Sequence, residues 1–239
     1  MKNFEGKTIL TFDCYGTLID WEAGIWNALK PILERHGIAI AQDPALELFG
    51  ELEAQVEKGP YLRYRAVLAT VLNGIAAKLK FHAHANEVDA FASSVGDWPA
   101  FPDSPAALAS LKRRFKLAVI TNCDDDLFAQ SNKRLKVDFD YVVTAQQVGS
   151  YKPALENFRY AIKRFGVPQS EILHVAQSLF HDHAPAKMMG LSSVWINRRH
   201  DKPGFGATPP ADAKPDYEYP DMRSFAEAAG VATTEKSGA

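Results

Sequence analysis

The chain has 239 residues, of which 46% are hydrophobic and 23% are charged, and its formal net charge is −2. This composition is ordinary for a globular protein and leaves no overall positive field to attract nucleic acid or a membrane surface. With only Cys14 and Cys123, the chain also cannot form a framework of several disulfides. We therefore expect a cytoplasmic protein with no nucleic-acid or membrane partner.

The first predicted strand, Ile9–Phe12, leads directly to a carboxylate. Asp13 follows the strand, and a turn containing Gly16 comes next. A carboxylate at the C-terminal tip of a buried strand lies where open α/β sheets bind their ligands. Residues 1–7 have neither the apolar stretch nor the cleavage site of a signal peptide, and no apolar run in the chain reaches the length of a transmembrane helix.

Residues 21–96 show no convincing strand and instead repeat apolar residues at helical spacing. The apolar positions are Ile25, Leu29, Ile32 and Leu33, then Leu46, Phe49, Leu52 and Val56, and then Val67, Leu68, Val71, Leu72 and Ile75. The residues 96–102 (GDWPAFP) are typical of a return to another part of the fold. We predict a helical insert over residues 21–96, with the core domain formed by residues 1–20 and 97–239.

Strands and helices alternate in the second half of the chain, which predicts a parallel sheet with right-handed crossovers. The predicted strands span residues 117–121, 141–144, 172–175 and 193–196. The predicted helices span residues 104–114, 125–135, 152–165 and 183–189. Residues 200–220, rich in proline, glycine and charge, are predicted to be irregular, with a short helix near 222–229 after them. The fold class is therefore α/β, with a Rossmann-like parallel sheet core and a helical cap insert.

Four polar segments follow predicted strands or open a predicted helix, in an order that brings them to one edge of a parallel sheet. They are Asp13, the pair Thr121-Asn122, the segment Tyr151-Lys152-Pro153, and Gln177-Ser178 with Asp182. A single one of them is weak evidence, because an aspartate after a strand is most often a turn former. The four together are much more specific.

This set resembles the four motifs of the haloacid dehalogenase superfamily, and the resemblance covers nearly the whole chain because the helical insert matches the family's cap. Further details are most similar to the (S)-2-haloacid dehalogenase branch. They are Trp98 with the segment 101–104 (FPDS), Lys152-Pro153, and the segment 195–198 (WINR). The resemblance implies a hydrolase that acts on carbon–halogen bonds.

Phosphatases of this superfamily carry a second aspartate two residues after the nucleophile, which protonates an alkoxide leaving group, and they hold Mg²⁺ through oxygen ligands. Here Tyr15 occupies the position of that acid, and Gln177 stands where an acidic metal ligand is expected. A halide leaves as a weakly basic anion and needs neither group. We therefore predict no metal and no cofactor, with water as the co-substrate and a small 2-haloacid or similar carboxylic acid as the substrate.

The resemblance also implies roles for individual residues. Asp13 attacks the carbon that bears the halogen, and water hydrolyses the resulting ester. Lys152 lies beside Asp13 and keeps it ionised, because a nearby opposite charge lowers the pKa of a carboxylate. Asp182 orients Lys152 or the hydrolytic water, and its alternative role is a structural ion pair with Lys152.

Four further residues are expected to bind the substrate. Tyr15 forms part of the pocket wall and offers a hydroxyl, and Thr121 hydrogen-bonds the nucleophile or the substrate carboxylate. Asn122 donates its amide N–H to the leaving halide. Ser178 binds the substrate carboxylate, although a turn residue is the equally weighted alternative.

The sequence departs from the family pattern in the cap and in the fourth motif. Haloacid dehalogenases use a cap arginine, but residues 48–51 (LFGE) contain none, so Arg63 or Arg65 is the substitute, or both are simply exposed. Leu179 stands where the family places an asparagine, which puts the substrate class in doubt.

Two histidines beside Asp182 also need an interpretation. His181 and His183 flank Asp182, and we interpret them as loop or surface residues rather than zinc ligands.

Two other functions remain open on the sequence. One is a Mg²⁺-dependent phosphatase acting on a small phosphoester, and the other is a non-catalytic protein that binds a small acid. An apolar face on the cap would also support a homodimer.

Overall fold

A six-stranded sheet forms the centre of the molecule in the computed structural model, which describes residues 4–231. Its strands are β1 (Ile9–Phe12), β2 (Lys116–Thr121), β3 (Tyr141–Thr144), β4 (Ile172–Ala176), β5 (Ser192–Ile196) and β6 (Tyr217–Tyr219). They lie in the order β3-β2-β1-β4-β5-β6, and each neighbouring pair is parallel. The predicted α/β class with a Rossmann-like parallel sheet is confirmed.

The strand order places the end of β1 at the point where the chain changes direction across the sheet. The chain runs from β1 outward to β2 and β3, and then crosses back to β4 on the other side of β1. In the register of the sheet, Phe12 lies opposite Val119 of β2 and opposite Val175 of β4. Since ligands of open α/β sheets bind at such a switch point, Asp13 follows the strand that borders the crevice.

Helices cover the sheet and follow the predicted alternation. They are α5 (Ser104–Leu111), α6 (Asp125–Leu135), α7 (Ala145–Val148), α8 (Leu155–Phe165), α9 (Ala184–Met188) and α10 (Met222–Ala228). The helix predicted to start at Lys152 starts instead at Leu155, because a residue before proline is disfavoured in the helical conformation. The helix predicted from His183 begins at Ala184 and is preceded by a π-helical turn, Leu179–His183.

One strand was not predicted. Residues 200–220 were expected to be irregular, but Tyr217–Tyr219 forms β6 and pairs with β5 at the edge of the sheet. It has three residues and two half-buried tyrosines around an exposed Glu218. So short an edge strand leaves too little periodicity to recognise without its neighbour.

Between β1 and α5 the described chain is helical. The helices are α1 (Trp21–Arg35), α2 (Gln42–Glu57), α3 (Tyr64–Leu79) and α4 (Ala85–Ala92), followed by a 3₁₀ turn, Ser94–Asp97. Their apolar faces are buried as the spacing predicted, although Leu52 and Val56 of α2 are only half-buried. The division into a cap domain (21–96) and a core domain (1–20 and 97–239) stays a prediction, and residues 1–3 and 232–239 of that core lie outside the described residues.

Polar contacts attach the helical insert to the sheet region, and two of them lie at the starts of helices. At the first amide of α3, the N–H of Tyr64 donates to Asp124 Oδ2 over 3.0 Å, which satisfies one of the free donors of a helix N-terminus. At the start of α1, Arg199 pairs with Glu22 at 2.7 Å. Among residues 4–231, no helix is long and apolar enough to cross a membrane.

A close backbone contact joins α2 to the segment after β5. A Cβ atom on Gly50 would lie 2.3 Å from the carbonyl oxygen of Ala207, so only glycine allows the two backbones to approach this closely. This packing explains the glycine at position 50, in the part of α2 where a cap arginine was expected.

We predict that Gly50→Ala destabilises the protein by about 1–3 kcal/mol, because the added methyl group forces the Ala207 segment away from α2. Gly74→Ala, in α3, is the matched control, since its new methyl group meets only the flexible side chain of Leu52. Helix propensity makes that change neutral or stabilising by up to about 1 kcal/mol. Thermal and urea unfolding measure both, and equal stability of the two variants would contradict the close-contact argument.

Candidate active site

Asp13 lies at the floor of a buried site, held by hydrogen bonds from both sides. Its backbone N–H donates to the carbonyl of Val175 over 3.1 Å, which continues the β1–β4 ladder up to the carboxylate. Its Oδ2 accepts a 2.6 Å hydrogen bond from the hydroxyl of Thr17, and its Oδ1 accepts one of 2.8 Å from Lys152. Gly16 has φ +91°, a conformation that suits glycine and turns the chain back so that Thr17 reaches Asp13.

Lys152 is fully buried and joins the two predicted aspartates. Its ammonium donates to Asp13 Oδ1 at 2.8 Å, to Asp182 Oδ1 at 2.7 Å and to the carbonyl of Ile120 at 3.0 Å. An ammonium group has three N–H donors, so these three acceptors use all of them. The structure therefore brings Asp13, Lys152 and Asp182 together, as predicted from three distant parts of the sequence.

The charges of the three groups depend on one another. Burial alone would lower the pKa of Lys152, but the attraction of Asp13 and Asp182 outweighs it and raises that pKa. Burial raises the pKa of Asp182, but Lys152 and a hydrogen bond from His174 outweigh it and hold that pKa below its usual range. We therefore describe the pair Lys152 and Asp182 as ionised.

The pKa of Asp13 is set by opposing effects. Burial raises it, and the charge of Asp182 adds to the rise, while Lys152 and Thr17 act to lower it. Lys152 therefore favours the ionised carboxylate as expected, but burial outweighs it and leaves the pKa of Asp13 above its usual value. When ionised, Asp13 is consequently a more basic carboxylate than an ordinary aspartate.

Asp182 has a second partner on the sheet. Its Oδ1 also lies 3.0 Å from Nε2 of His174, whose Nδ1 lies 2.8 Å from the hydroxyl of Thr11. The other oxygen, Oδ2, is buried and has no hydrogen-bond partner among the described residues. Asp182 therefore contacts Lys152 and His174 through the same oxygen, while its other oxygen is buried without a partner.

These groups line a small cavity between α2 and the sheet edge. It encloses about 30 Å³, roughly the space of two water molecules. Its walls are Asp13, Tyr15, Trp21, Glu53, Glu57, Tyr64, Asn122, Lys152, Gln177, Ser178, His181 and Asp182. An adjoining cavity of about 340 Å³ shares Glu57, Lys152 and His181 with it, so the two lie side by side.

Two of the predicted substrate-binding residues are placed differently from the prediction. Thr121 is buried, its hydroxyl has no partner, and it is absent from the residues that line the cavity. The hydrogen bond to the nucleophile comes from Thr17 instead. Tyr15 lines the cavity as expected. Its hydroxyl, however, lies 3.0 Å from Ser131 Oγ and 3.3 Å from Cys123 Sγ, so the hydroxyl is already hydrogen-bonded within the protein interior.

The other two predicted substrate-binding residues, Asn122 and Ser178, line the cavity but already have hydrogen-bond partners. The amide of Asn122 donates to Glu57 Oε2 at 3.2 Å and to the carbonyl of Lys152 at 3.0 Å, and its oxygen accepts from the Lys152 N–H at 2.7 Å. Asn122 therefore holds the Lys152 segment in position. Ser178 Oγ accepts from the His181 N–H at 2.9 Å and lies 3.1 Å from His181 Nδ1. Their roles toward a substrate stay predictions.

The interpretation of His181 and His183 as surface or loop residues is wrong. Both residues belong to the π-helical turn Leu179–His183, and both side chains are buried. His183 Nε2 lies 2.9 Å from the carbonyl of Ala176, and burial lowers the pKa of each histidine to about 4. Both are neutral near pH 7, and His181 is part of the cavity wall.

Neither of the arginines suggested as a cap cation reaches the cavity. Arg63 is exposed, and Arg65 pairs with Asp126 at 2.7 Å on the surface. The cap contributes Glu53 and Glu57 instead, which are one helical turn apart on α2 and were missed by sequence reasoning. A signal was present, because Glu53 continues the buried row of Leu46 and Phe49 at helical spacing, where an acidic residue is unusual.

The donor set at the cavity does not fit a magnesium ion. Mg²⁺ requires several oxygen ligands in near-octahedral geometry, but among residues 4–231 no three carboxylate, histidine or cysteine ligand atoms at this cavity lie within 4.8 Å of one another, and Gln177 replaces an acidic ligand. Among residues 4–231, histidine, cysteine and carboxylate atoms gather at metal-like spacing on the cap, at His36, His84 and Glu87. There Arg35 and His36 already pair with Glu87.

A model of the haloacid dehalogenase-like hydrolases matches residues 7–187. The chain belongs to this family. It is 26% identical to an (S)-2-haloacid dehalogenase of Pseudomonas putida over 234 residues, which cover 95% of this chain and 96% of that protein. The fold of the L-2-haloacid dehalogenase from Xanthobacter autotrophicus, solved with chloropropionic acid covalently bound, matches with a TM-score of 0.77 at 19% identity over 92% of this chain and 97% of that one.

The family also contains phosphatases that resemble part of this chain. A phosphoserine phosphatase of Thermus thermophilus is 32% identical over 129 residues, which cover 53% of this chain and 49% of that enzyme. The match to the dehalogenase of Pseudomonas putida covers 95% of this chain. The family is therefore certain for this chain, and the bond that it hydrolyses must be argued from the site.

We predict that Lys152→Met destabilises the protein by about 3–5 kcal/mol near pH 7, because it leaves two buried carboxylates without a counter-ion. In the variant, Asp13 and Asp182 have folded-state pKa values above their unfolded ones. The loss should therefore be largest at neutral pH and shrink as the pH falls toward the ordinary aspartate pKa of about 3.9. Urea unfolding at several pH values measures this, and a loss that grows toward acid pH would contradict the ion cluster.

We also predict that Thr17→Val raises the pKa of Asp13 further, because the Thr17 hydroxyl stabilises the ionised carboxylate. Thr17→Ser, which keeps the hydroxyl, should leave the pKa close to that of the wild type. Carbon-13 NMR of labelled aspartate can follow the titration of Asp13 in all three proteins. An unchanged titration in the valine variant would show that the 2.6 Å contact does not stabilise the charge.

Proposed function

We propose that this protein is a hydrolytic dehalogenase that works without a metal ion and displaces halide from carbon 2 of a small halogenated acid or a close derivative of one. The observation that supports it is the placement of Lys152 within 2.8 Å of Asp13 and 2.7 Å of Asp182. An ammonium in this position supplies the positive charge beside the nucleophile. Two residues after Asp13, where a phosphatase of this family carries the aspartate that protonates an alkoxide, the cavity wall has Tyr15.

The first step forms an ester on Asp13. A carboxylate oxygen of Asp13 attacks the carbon that bears the halogen, the new carbon–oxygen bond forms, and the halide leaves with the bonding electron pair. The halide needs no proton, because it is a weakly basic anion. The raised pKa of Asp13 favours this step once the group is ionised, since nucleophilicity increases with basicity.

The second step hydrolyses the ester. Water attacks the Cγ carbon of Asp13, and the hydroxyl product leaves with the oxygen that first belonged to the aspartate. The attacking water loses a proton, and we assign Asp182 as its acceptor, because Asp182 lines the cavity and its Oδ2 atom has no hydrogen-bond partner among the described residues. Over the two steps, one water is consumed and one hydroxylated product, one halide and one proton are formed.

The phosphatase interpretation has specific features against it. A phosphoester leaving group needs a general acid, and Tyr15, which stands where that acid would be, directs its hydroxyl to Ser131 and Cys123. A non-catalytic binding protein would have no need for an unpartnered carboxylate oxygen beside a buried nucleophile. The phosphatase and the non-catalytic binding protein are both outcomes that the release assay described next can detect.

We predict that the purified protein releases chloride or bromide from a panel of small 2-halogenated acids and their derivatives, and that a chelator leaves the rate unchanged. Asp13→Asn should abolish release, since the amide is not a nucleophile, while Asp103→Asn, outside the cavity, serves as the matched control for an aspartate change. Phosphate release that is lost on chelation would instead establish the phosphatase.

We further predict that a single turnover in heavy-oxygen water labels the carboxylate of Asp13. Water attacks Cγ in the proposed second step, so the incoming oxygen stays on the aspartate and the product carries the original oxygen. Mass spectrometry of the peptide that contains Asp13 measures the label. Label in the product, with none in the peptide, would show that water attacks the substrate directly.

A further inference from the structure

The side of the cavity formed by the cap is acidic. Glu53 and Glu57 lie on α2 and both line the cavity that contains Asp13. Glu53 is 3% exposed and the side chain of Glu57 is 5% exposed. Buried carboxyl groups are uncommon unless a partner or a ligand compensates them, so this pair requires an explanation that the displacement chemistry does not supply.

No cation in the cavity is available for a negatively charged ligand. Among the described residues that line it, Lys152 is the one with a permanent positive charge, and its three donors are occupied by Asp13, Asp182 and the carbonyl of Ile120. His181 is neutral near pH 7. A substrate carboxylate bound here would lie among carboxylates with no opposite charge to stabilise it.

The cap acids have oxygen atoms free to accept hydrogen bonds. Glu53 Oε1 accepts from the hydroxyl of Tyr64 at 2.6 Å, and Glu57 Oε2 accepts from Asn122 at 3.2 Å and lies 3.9 Å from His181 Nε2. The structure gives their second oxygens no donor within residues 4–231. With Asp182 Oδ2, the cavity therefore presents several acceptors and few unused donors.

The pKa values of the two glutamates agree with this geometry. Burial raises the pKa of Glu53 to about 7. Burial raises that of Glu57 too, and the charge of Glu53 adds to the rise while Lys152 opposes it. Carboxyl groups behave in this way where positive partners are missing, and a bound hydrogen-bond donor would stabilise their ionised form.

We propose that the cavity selects a halogenated substrate whose polar end is an amide, a hydrogen-bond donor, rather than a free carboxylate, and that Glu53 and Glu57 accept its N–H groups. This inference rests on the proposed function, because the halogen-bearing carbon must still face Asp13. In this arrangement the cap glutamates replace the cation that a substrate carboxylate would need, and they determine specificity without taking part in bond making.

The test compares two substrates of the same shape, 2-chloropropionamide and 2-chloropropionate, by halide release at pH 7.5. We expect kcat/KM to be about tenfold higher for the amide, the effect of one hydrogen bond to a charged group. Glu57→Gln and Glu53→Gln should reduce that ratio to near one, because each replaces an acceptor oxygen by an NH₂ group. Glu51→Gln is the matched control, since Glu51 is exposed on the same helix.

A binding measurement separates recognition from chemistry. Calorimetry with propionamide and propionate, which have no halogen, should show tighter binding of the amide to the wild-type protein and a smaller difference in Glu57→Gln. If neither chloride-bearing compound releases halide and no ester forms on Asp13, the proposed function fails, and the inference that depends on it fails too. If halide is released, the substrate ratio alone decides the inference.

Three results would overturn the inference while leaving the dehalogenase intact. One is a wild-type enzyme that prefers 2-chloropropionate, which would show that protonated glutamates bind the acid. Another is an amide preference that Glu53→Gln and Glu57→Gln leave unchanged in folded protein, as judged by circular dichroism. The third is a loss of 2-chloropropionate turnover in Lys58→Ala. Lys58 lines the adjoining cavity, and this loss would identify it as the cation that pairs with the substrate carboxylate.

Discussion

The buried ammonium of Lys152 is the interaction on which the rest of the site depends. It joins two aspartates that are separated from each other by most of the chain, and it does so with each of its three hydrogen bonds made to an oxygen atom. Moving such a charge out of water is unfavourable by several kcal/mol unless nearby opposite charges and acceptors compensate it. The backbone at Lys152 is accordingly held on both sides by Asn122. Asp13, Lys152 and Asp182 are thus mutually dependent, and burial of the cluster, with the added charge of Asp182, keeps the pKa of Asp13 above its usual value although Lys152 opposes the rise.

The cap closes over this cluster through polar contacts as well as apolar packing. Asp124, at the start of α6, accepts from the first amide of α3, and the segment after β5 reaches across to α1 and α2 through Arg199 and Ala207. These contacts place α2 so that its acidic side chains form the wall opposite Asp13. The cluster of Asp13, Lys152 and Asp182 therefore lies at the edge of the sheet. The acidic wall of the cavity comes from the helical insert. The wall opposite Asp13 can therefore differ through substitutions on α2 without any change at Asp13.

Much of the fold could be predicted, because parallel strands buried on both faces and helices with one apolar face leave strong periodic patterns. The strand β1 was predicted with its observed ends, and β2, β4 and β5 differ by one residue. The three catalytic candidates were also found, since each follows a strand or precedes a helix at the edge where parallel strands end. The failures share a cause. Thr121 and Thr17 are both threonines near Asp13 in space, and only the turn at Gly16 decides which hydroxyl reaches it. His181 and His183 looked polar and were placed at the surface, but the π-helical turn directs them inward.

The order of elements, the carboxylate at the end of the first strand and the family to which the chain belongs were determined by the sequence alone, because they rest on local patterns and on short motifs. The character of the pocket was decided by the tertiary structure. Glu53 and Glu57 are ordinary helical residues until α2 is packed against the sheet, and Arg63 and Arg65 are plausible cap cations until α3 directs them to the surface. Whether a charged side chain enters the cavity depends on the rotation of its helix, and contacts between residues far apart in the chain, such as Gly50 with Ala207, set that rotation.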